Sequence, residues 1–145
     1  MSSIHTVMGF DFGMRHIGVA IGQVLTETAQ ACTTLPAWEG QPDWIQLSNL
    51  LKKWQPDALI VGVPVDLAGH EHAMTLAARY FLSALSQRFA PLPVFSAEER
   101  LTSVEARARL FEQGGYKSLR KSSIDSLAAQ LIVESWVLQY NRSLL

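Results

Sequence analysis

Three acidic residues, Asp11, Glu99 and Asp125, stand at the ends of predicted elements rather than on predicted solvent-exposed faces. Asp11 ends an apolar strand, Glu99 follows a short strand, and Asp125 lies in the first turn of a helix, at the edge of its apolar stripe. If the first strand is central, all three gather at one sheet edge, where ligands of open α/β sheets usually bind. Each residue also has a purely structural explanation, as a turn residue, a loop or capping charge, and a helix N-terminal charge, respectively.

Carboxylates gathered at one sheet edge favour a hard divalent cation. Two carboxylates about 5 Å apart repel each other by roughly 3 kcal/mol at an effective dielectric constant near 20. Oxygen ligands suit Mg²⁺ or Mn²⁺, and such ions can activate water for hydrolysis of a phosphodiester. The four histidines show no convincing metal-binding spacing. The acidic residues therefore indicate a metal-dependent hydrolase acting on ester bonds, and specifically a nuclease.

Positive charge is concentrated after Glu99, although the formal net charge of the chain is only −1. Six of the twelve Lys and Arg residues lie in one short stretch, namely Arg100, Arg107, Arg109, Lys117, Arg120 and Lys121. Such a stretch can follow the phosphates of a nucleic acid, or it can be a solvated helix face. We expect the segment containing Lys117, Arg120 and Lys121 to close on a nucleic-acid strand.

The composition is that of a globular intracellular protein. The chain has 145 residues, of which 48% are hydrophobic, enough to form a core in one domain spanning residues 1–145. The single cysteine, Cys32, cannot form an internal disulfide and is expected to be buried and inert. No apolar run is long enough to cross a membrane, and no signal-peptide pattern begins the chain. We therefore expect a cytoplasmic protein without a membrane partner.

Hydrophobic periodicity predicts the element order βββαβαβαα. The first three strands are expected to be antiparallel and the last two parallel, which gives an α/β fold with a mixed five-stranded sheet flanked by helices. The strands are predicted over residues 4–12, 17–23, 27–35, 58–63 and 94–97, and the helices over 42–54, 73–89, 102–114 and from 122 or 123 onward.

Four glycines, Gly9, Gly13, Gly18 and Gly22, leave parts of the first hairpin without side-chain bulk. Such a surface can admit a sugar–phosphate backbone or a closely packed helix, and the sequence does not distinguish the two.

Four sequence blocks stand in a fixed order: FDFGMRHIGVA at 10–20, then the blocks at 60–64, 98–106 and 124–129. In content and order they resemble the YqgF/RuvX family of RNase H-like nucleases, and the first block is similar to the family's opening motif. The resemblance implies an RNase H-like fold, with Asp11, Glu99 and Asp125 as metal ligands and Arg15 and Arg100 as phosphate contacts. Members are regarded as nucleases that mature the 5′ end of pre-16S rRNA and as Holliday-junction resolvases.

Two parts of the sequence depart from the family pattern. Met14 stands where a hydroxyl residue is usual, and the residues at 66–69, Asp-Leu-Ala-Gly, replace a usual Asn-Met-Asp-Gly. These changes leave the roles of Met14, Asp66 and Ala68 open, whereas the three acidic residues are retained.

The sequence hypothesis is an endonuclease that uses Mg²⁺ or Mn²⁺ to cut nucleic acid, with precursor rRNA favoured, branched DNA as an alternative, and the ribosome as a further partner. Two other classes stay open. An actin-like ATPase would share the basic fold and a similar Asp11 loop, but it needs a second related domain. A non-catalytic nucleic-acid- or ribosome-binding module would use the basic residues without the carboxylates.

Overall fold

The structure is a computed structural model that describes residues 4–65, 72–99 and 121–145, with only the backbone of Glu99 and of residues 121–124. Its strands are β1 (Thr6–Asp11), β2 (His16–Gln23), β3 (Thr28–Trp38), β4 (Gln41–Pro42), β5 (Ala58–Pro64) and β6 (Val94–Glu99). Its helices are α1 (Trp44–Trp54), α2 (Ala73–Arg88) and α3 (Lys121–Ser143).

The described strands form one mixed sheet in the order β4-β3-β2-β1-β5-β6. Strands β1, β2 and β3 form an antiparallel meander, and β5 and β6 run parallel to β1. The predicted mixed sheet, with three antiparallel strands followed by two parallel ones, is therefore confirmed. Because β1 lies between β2 and β5, its C-terminal residue Asp11 is held from both sides, opposite Gly18 and Gly62.

The strand count differs from the prediction, because the sheet has a sixth strand, β4. Trp38 pairs with Gln41 across a two-residue turn made by Glu39 and Gly40, whose φ angles are 49° and 81°. Two successive residues with positive φ form the tight turn that suits a twisted hairpin. A strand of two residues carries no readable alternation, so hydrophobic periodicity does not predict it and instead places Pro42 in the following helix.

The helices otherwise follow the predicted pattern. Helix α1 begins at Trp44 rather than at position 42, because the Asp43 carboxylate accepts hydrogen bonds from the backbone N–H groups of Ile45 and Gln46, at 3.0 and 3.2 Å. The helix predicted over 102–114 lies outside the described residues. Within the described ranges, no helix has the length and apolar character needed to span a bilayer.

Strand alternation divides the apolar residues between two cores. Met8 and Phe10 of β1 face α1 and α2, and the Phe10 ring meets the ring of Phe81 edge-on, with 5.7 Å between centroids. Val7 faces the opposite side, where it packs with residues of α3. Residues 7, 9 and 11 share that side, so the same alternation directs Asp11 toward α3.

Helix α3 packs on a sheet surface that lacks side chains at critical points. A Cβ atom at Gly9 or at Gly22 would overlap a methyl group of Val133, which is fully buried. The sequence left open whether these glycines admit substrate or a helix, and at Gly9 and Gly22 the neighbour is a helix. The apolar character of Leu138 would favour a position facing the sheet, yet Leu138 is 41% exposed, whereas Val137, one helical step of about 100° away, is buried.

Asp57 fixes the register between β1 and β5. Its carboxylate accepts hydrogen bonds from the backbone N–H groups of His5 and Thr6, both at 2.9 Å, and its own N–H donates to the Thr6 carbonyl oxygen. These backbone donors, Thr6 first, lower the pKa of the Asp57 carboxyl below its usual value. The same contacts hold the parallel pair of strands that places Asp11 opposite Gly62.

We expect Asp57→Asn to lower the free energy of unfolding at pH 7 by about 1 kcal/mol, a value discounted for the exposure of this carboxylate. A lowered folded-state pKa means that the stabilisation is complete above the unfolded-state pKa and is lost as the pH falls through the folded-state pKa. Urea unfolding of parent and variant should therefore differ at pH 7 and converge below about pH 4. A difference that does not change with pH would contradict this role of the carboxylate.

Candidate active site

Asp11 is a buried acid at the C-terminal end of the central strand. Asp11 is only 8% exposed, and it lies on the α3-facing side of β1 together with Val7 and Gly9. Strands β2 and β5 flank it through the pairs with Gly18 and Gly62. An ionisable group in this position is desolvated on several sides, which costs free energy unless a partner compensates for the lost water.

Asp125 lies on the sheet-facing stripe of α3 and is 6% exposed, with its Oδ2 atom inaccessible to solvent. The residue one helical turn later on the same stripe, Ala129, is fully buried. A Cβ atom at Gly18 would overlap the backbone carbonyl of Asp125, so the start of α3 lies directly on β2 at that point. Cross-strand partners in an antiparallel pair have Cα atoms about 4.5–5.5 Å apart, and the partner of Gly18 is Asp11. The two buried acids therefore lie in the same crevice between the sheet and α3.

Glu99 is the last residue of β6 and pairs with Pro64 of β5. Strand β6 lies two strand spacings, or about 10 Å, from β1, and its C-terminal end points to the same sheet edge. Position 99 has the strand parity of Phe95 and Ala97, which pack against residues of α3. The side chain of Glu99 lies outside what the structure describes.

The donor set of the crevice fits a hard divalent cation, because its two described acids supply only carboxylate oxygens. Both acids take part in a hydrogen bond or an electrostatic interaction within the fold. Among the side chains that the structure describes, no group of three or more His, Cys, Asp and Glu residues could hold a metal ion. A complete site thus needs a ligand beyond Asp11 and Asp125, and the Glu99 side chain is not among those that the structure describes.

Arg15 is exposed in the loop between β1 and β2, at the same sheet edge as Asp11. The loop is anchored to the β3–β4 hairpin by two backbone hydrogen bonds of 2.8 Å, from Ala37 N–H to the Arg15 carbonyl and from Gly40 N–H to the Met14 carbonyl. Arg15 is therefore carried on a fixed loop. Of the other predicted phosphate contacts, Arg100, Lys117 and Arg120 lie outside the described residues, and Lys121 is described only by its backbone.

Two residues that support this sheet edge were not given a role by the sequence. Gly18 sets how closely α3 approaches Asp11, but from the sequence it was one of four similar glycines. Thr75 is fully buried at the start of α2, where its hydroxyl donates to the Pro64 carbonyl and accepts from His72 N–H. The sequence signal that could have identified Thr75 is its position as a polar residue within the apolar stripe of α2.

Cys32 lies on β3, away from the acids, and is partly buried. Burial raises the pKa of its thiol above the usual value, so the group is a neutral thiol at physiological pH. A neutral thiol is a poor nucleophile, which agrees with the expectation that this cysteine is inert.

Comparison with known proteins places the chain among bacterial relatives that match nearly all of it. It is 50% identical over 135 residues to a protein of Aeromonas salmonicida, covering 93% of this chain and 96% of the relative. It is 51% identical over 131 residues to a protein of Photorhabdus laumondii, covering 90% and 94%. Both relatives carry the name "Putative pre-16S rRNA nuclease".

The fold resembles that of T. thermophilus RuvC, solved in complex with a Holliday junction substrate, with a TM-score of 0.52 and 18% sequence identity. The match covers 96% of each chain and confirms the predicted RNase H-like fold. The family model described as "RuvX: Holliday junction resolvase" matches residues 5–139. Since this model spans most of the sequence, and the relatives are about half identical to it, the chain belongs to the RuvX family, as its four sequence blocks predicted.

Proposed function

We propose that this chain is a metal-dependent endonuclease in which Asp11, Glu99 and Asp125 hold Mg²⁺ or Mn²⁺. One observation carries the proposal: Asp11 and Asp125 are far apart in the chain, yet both are buried, and the backbone of Asp125 packs against Gly18, the strand partner of Asp11. Membership of a family whose relatives are named as nucleases supports the same activity.

A cation bound between the carboxylates would be favoured for a simple electrostatic reason. Two ionised carboxylates about 5 Å apart repel each other by roughly 3 kcal/mol at an effective dielectric constant of 20. Burial removes the water that would screen two such charges, and this lowers the stability of the folded protein. A bound divalent ion offsets that loss of stability. When bound, such an ion supplies charge stabilisation at the phosphodiester oxygens and lowers the pKa of the attacking water.

The remaining proposed residues bind the nucleic-acid backbone. We assign the neutralisation of a phosphate beside Asp11 to Arg15, which is exposed on its anchored loop, and the same role to Arg100. Lys117, Arg120 and Lys121 would hold the strand farther from the scissile bond. Phosphate contacts of this kind fix the register of a strand without reading its sequence.

Precursor rRNA is the substrate that the relatives favour, because both are named for pre-16S rRNA. We therefore propose that the chain matures the 5′ end of pre-16S rRNA during ribosome biogenesis, as one domain acting in the cytoplasm and meeting the ribosome. Branched DNA is a second candidate, favoured by the description of the family model. Two symmetric cuts in a junction would require two copies of the active site, as a twofold dimer provides.

The carboxylate substitutions Asp11→Asn, Glu99→Gln and Asp125→Asn should each reduce Mg²⁺-dependent cleavage by about 100-fold or more, since even outer-shell partners of a metal are worth 10–100-fold. Glu98→Gln is the matched control, because Glu98 is exposed and adjacent to Glu99. Cleavage should be measured in parallel on a precursor rRNA 5′ end and on a four-way DNA junction. If the three variants cut at the parental rate, the catalytic assignment is wrong; if the parent binds both substrates and cuts neither, a binding module is indicated.

Gly18→Ala should damage the active site without changing any ionisable group. Its new Cβ would overlap the Asp125 carbonyl and displace the start of α3. A displacement of about 1 Å can cost on the order of 100-fold in rate. We also expect Mg²⁺ to raise the melting temperature of the parent but not that of Gly18→Ala, because a ligand stabilises only a folded protein that can bind it.

Gly22→Ala is the control for this experiment, because its Cβ would overlap Val133 farther along the same helix. It should lower the melting temperature yet keep the Mg²⁺-dependent rise. Equal responses of the two variants to Mg²⁺ would show that the contact at Gly18 does not position Asp125.

A further inference from the structure

A cavity of about 240 Å³ opens beside the loop that follows β1, on the opposite side of the sheet from the buried acids. Its aromatic lining is built by Phe12, Phe81 and Tyr80. Phe12 and Phe81 are buried, with ring centroids 5.3 Å apart, and they form the floor. Tyr80 is 70% exposed and forms a wall that solvent reaches.

The cavity depends on the absence of a side chain at Gly40. A Cβ atom there would lie 2.9 Å from Cζ of Phe12 and 3.4 Å from Sδ of Met14. The added atom would fill part of the space that the cavity now offers. Met14 itself is 42% exposed and lines the same cavity. The departure from a hydroxyl residue at this position thus adds a polarisable thioether beside the aromatic rings.

The polar lining argues against a phosphate as the occupant. Among the described residues around the cavity, the charged group is the Glu39 carboxylate, which would repel a phosphate. A carboxylate instead accepts hydrogen bonds from the exocyclic amino group of a base. A flat, neutral group that carries N–H donors fits this combination of rings and acceptors.

The cavity and the proposed active site adjoin the same end of β1, on opposite sides of the sheet. Phe12 follows Asp11 directly, so their Cα atoms are about 3.8 Å apart, and the exposed Arg15 belongs to the same anchored loop. A strand whose phosphate lies at the acids would turn over the end of β1 to place a neighbouring base in the cavity.

We propose that this cavity binds an unpaired nucleobase of the substrate strand, stacked on Tyr80. The inference rests on the proposed nuclease function and names its substrate class, a strand that is single-stranded next to the cut. A base held in a duplex presents only its edges, whereas an unpaired base offers its face to an aromatic side chain.

The test measures binding in an Asp11→Asn background, which prevents cutting. The probe is a short single-stranded RNA that contains 2-aminopurine, whose fluorescence is quenched by stacking, and the same RNA annealed to its complement. Adding Tyr80→Leu should weaken binding of the single strand by about fivefold or more and abolish quenching, since stacking on one side chain is worth about 5- to 150-fold. Tyr80→Phe should keep the single-strand affinity and the quenching. Neither substitution should change the affinity for the duplex.

Ile45→Ala provides the surface control, because Ile45 is 75% exposed on α1 and does not line the cavity. If Tyr80→Leu binds and quenches like the Asp11→Asn protein, the base-binding assignment is overturned, and cleavage by the parent still decides the nuclease proposal. If quenching depends on Tyr80 but the parent does not cleave, the cavity assignment stands and the nuclease proposal fails.

Discussion

The backbone carbonyl of Asp125 occupies the space that a side chain at position 18 would fill, and this close approach determines the geometry of the candidate site. Because Gly18 pairs with Asp11, the approach brings two buried acids to the same side of β1. Two ionised carboxylates in this arrangement would repel each other, and desolvation would strengthen that repulsion. In our proposal a divalent ion balances the negative charge of the two carboxylates. The packing of α3 on Gly18 then forms the crevice in which this ion binds.

Alternation along β1 separates this crevice from the residues that stabilise the molecule. Met8 and Phe10 pack with the large aromatic and aliphatic residues of α1 and α2, whereas Gly9 and Asp11 face α3. The larger core therefore lies on the opposite side of the sheet from the acids. A substitution of either acid leaves no cavity in that core. The same arrangement places the Tyr80 cavity on one side of the end of β1 and the carboxylates on the other.

The five longer strands, the place of Asp11 at the end of the first strand, and the family were accessible from the sequence, because alternation and motif spacing are local properties. The contact at Gly18 was not, since four glycines in one hairpin look alike until a helix from the far end of the chain packs against them. Strand β4 was missed because two residues show no period and the turn depends on positive φ at Glu39 and Gly40. The cavity at Tyr80 joins residues of three separate segments, and only the fold brings these together.

Diffraction from crystals grown with Mn²⁺, recorded at the manganese absorption edge, tests the central claim most directly. Shared coordination predicts an anomalous peak in the crevice between β1 and α3, about 2.1 Å from one oxygen of Asp11 and one of Asp125. At saturating Mn²⁺, a crevice without a peak, or a peak that contacts only one of these carboxylates, would contradict the shared metal site.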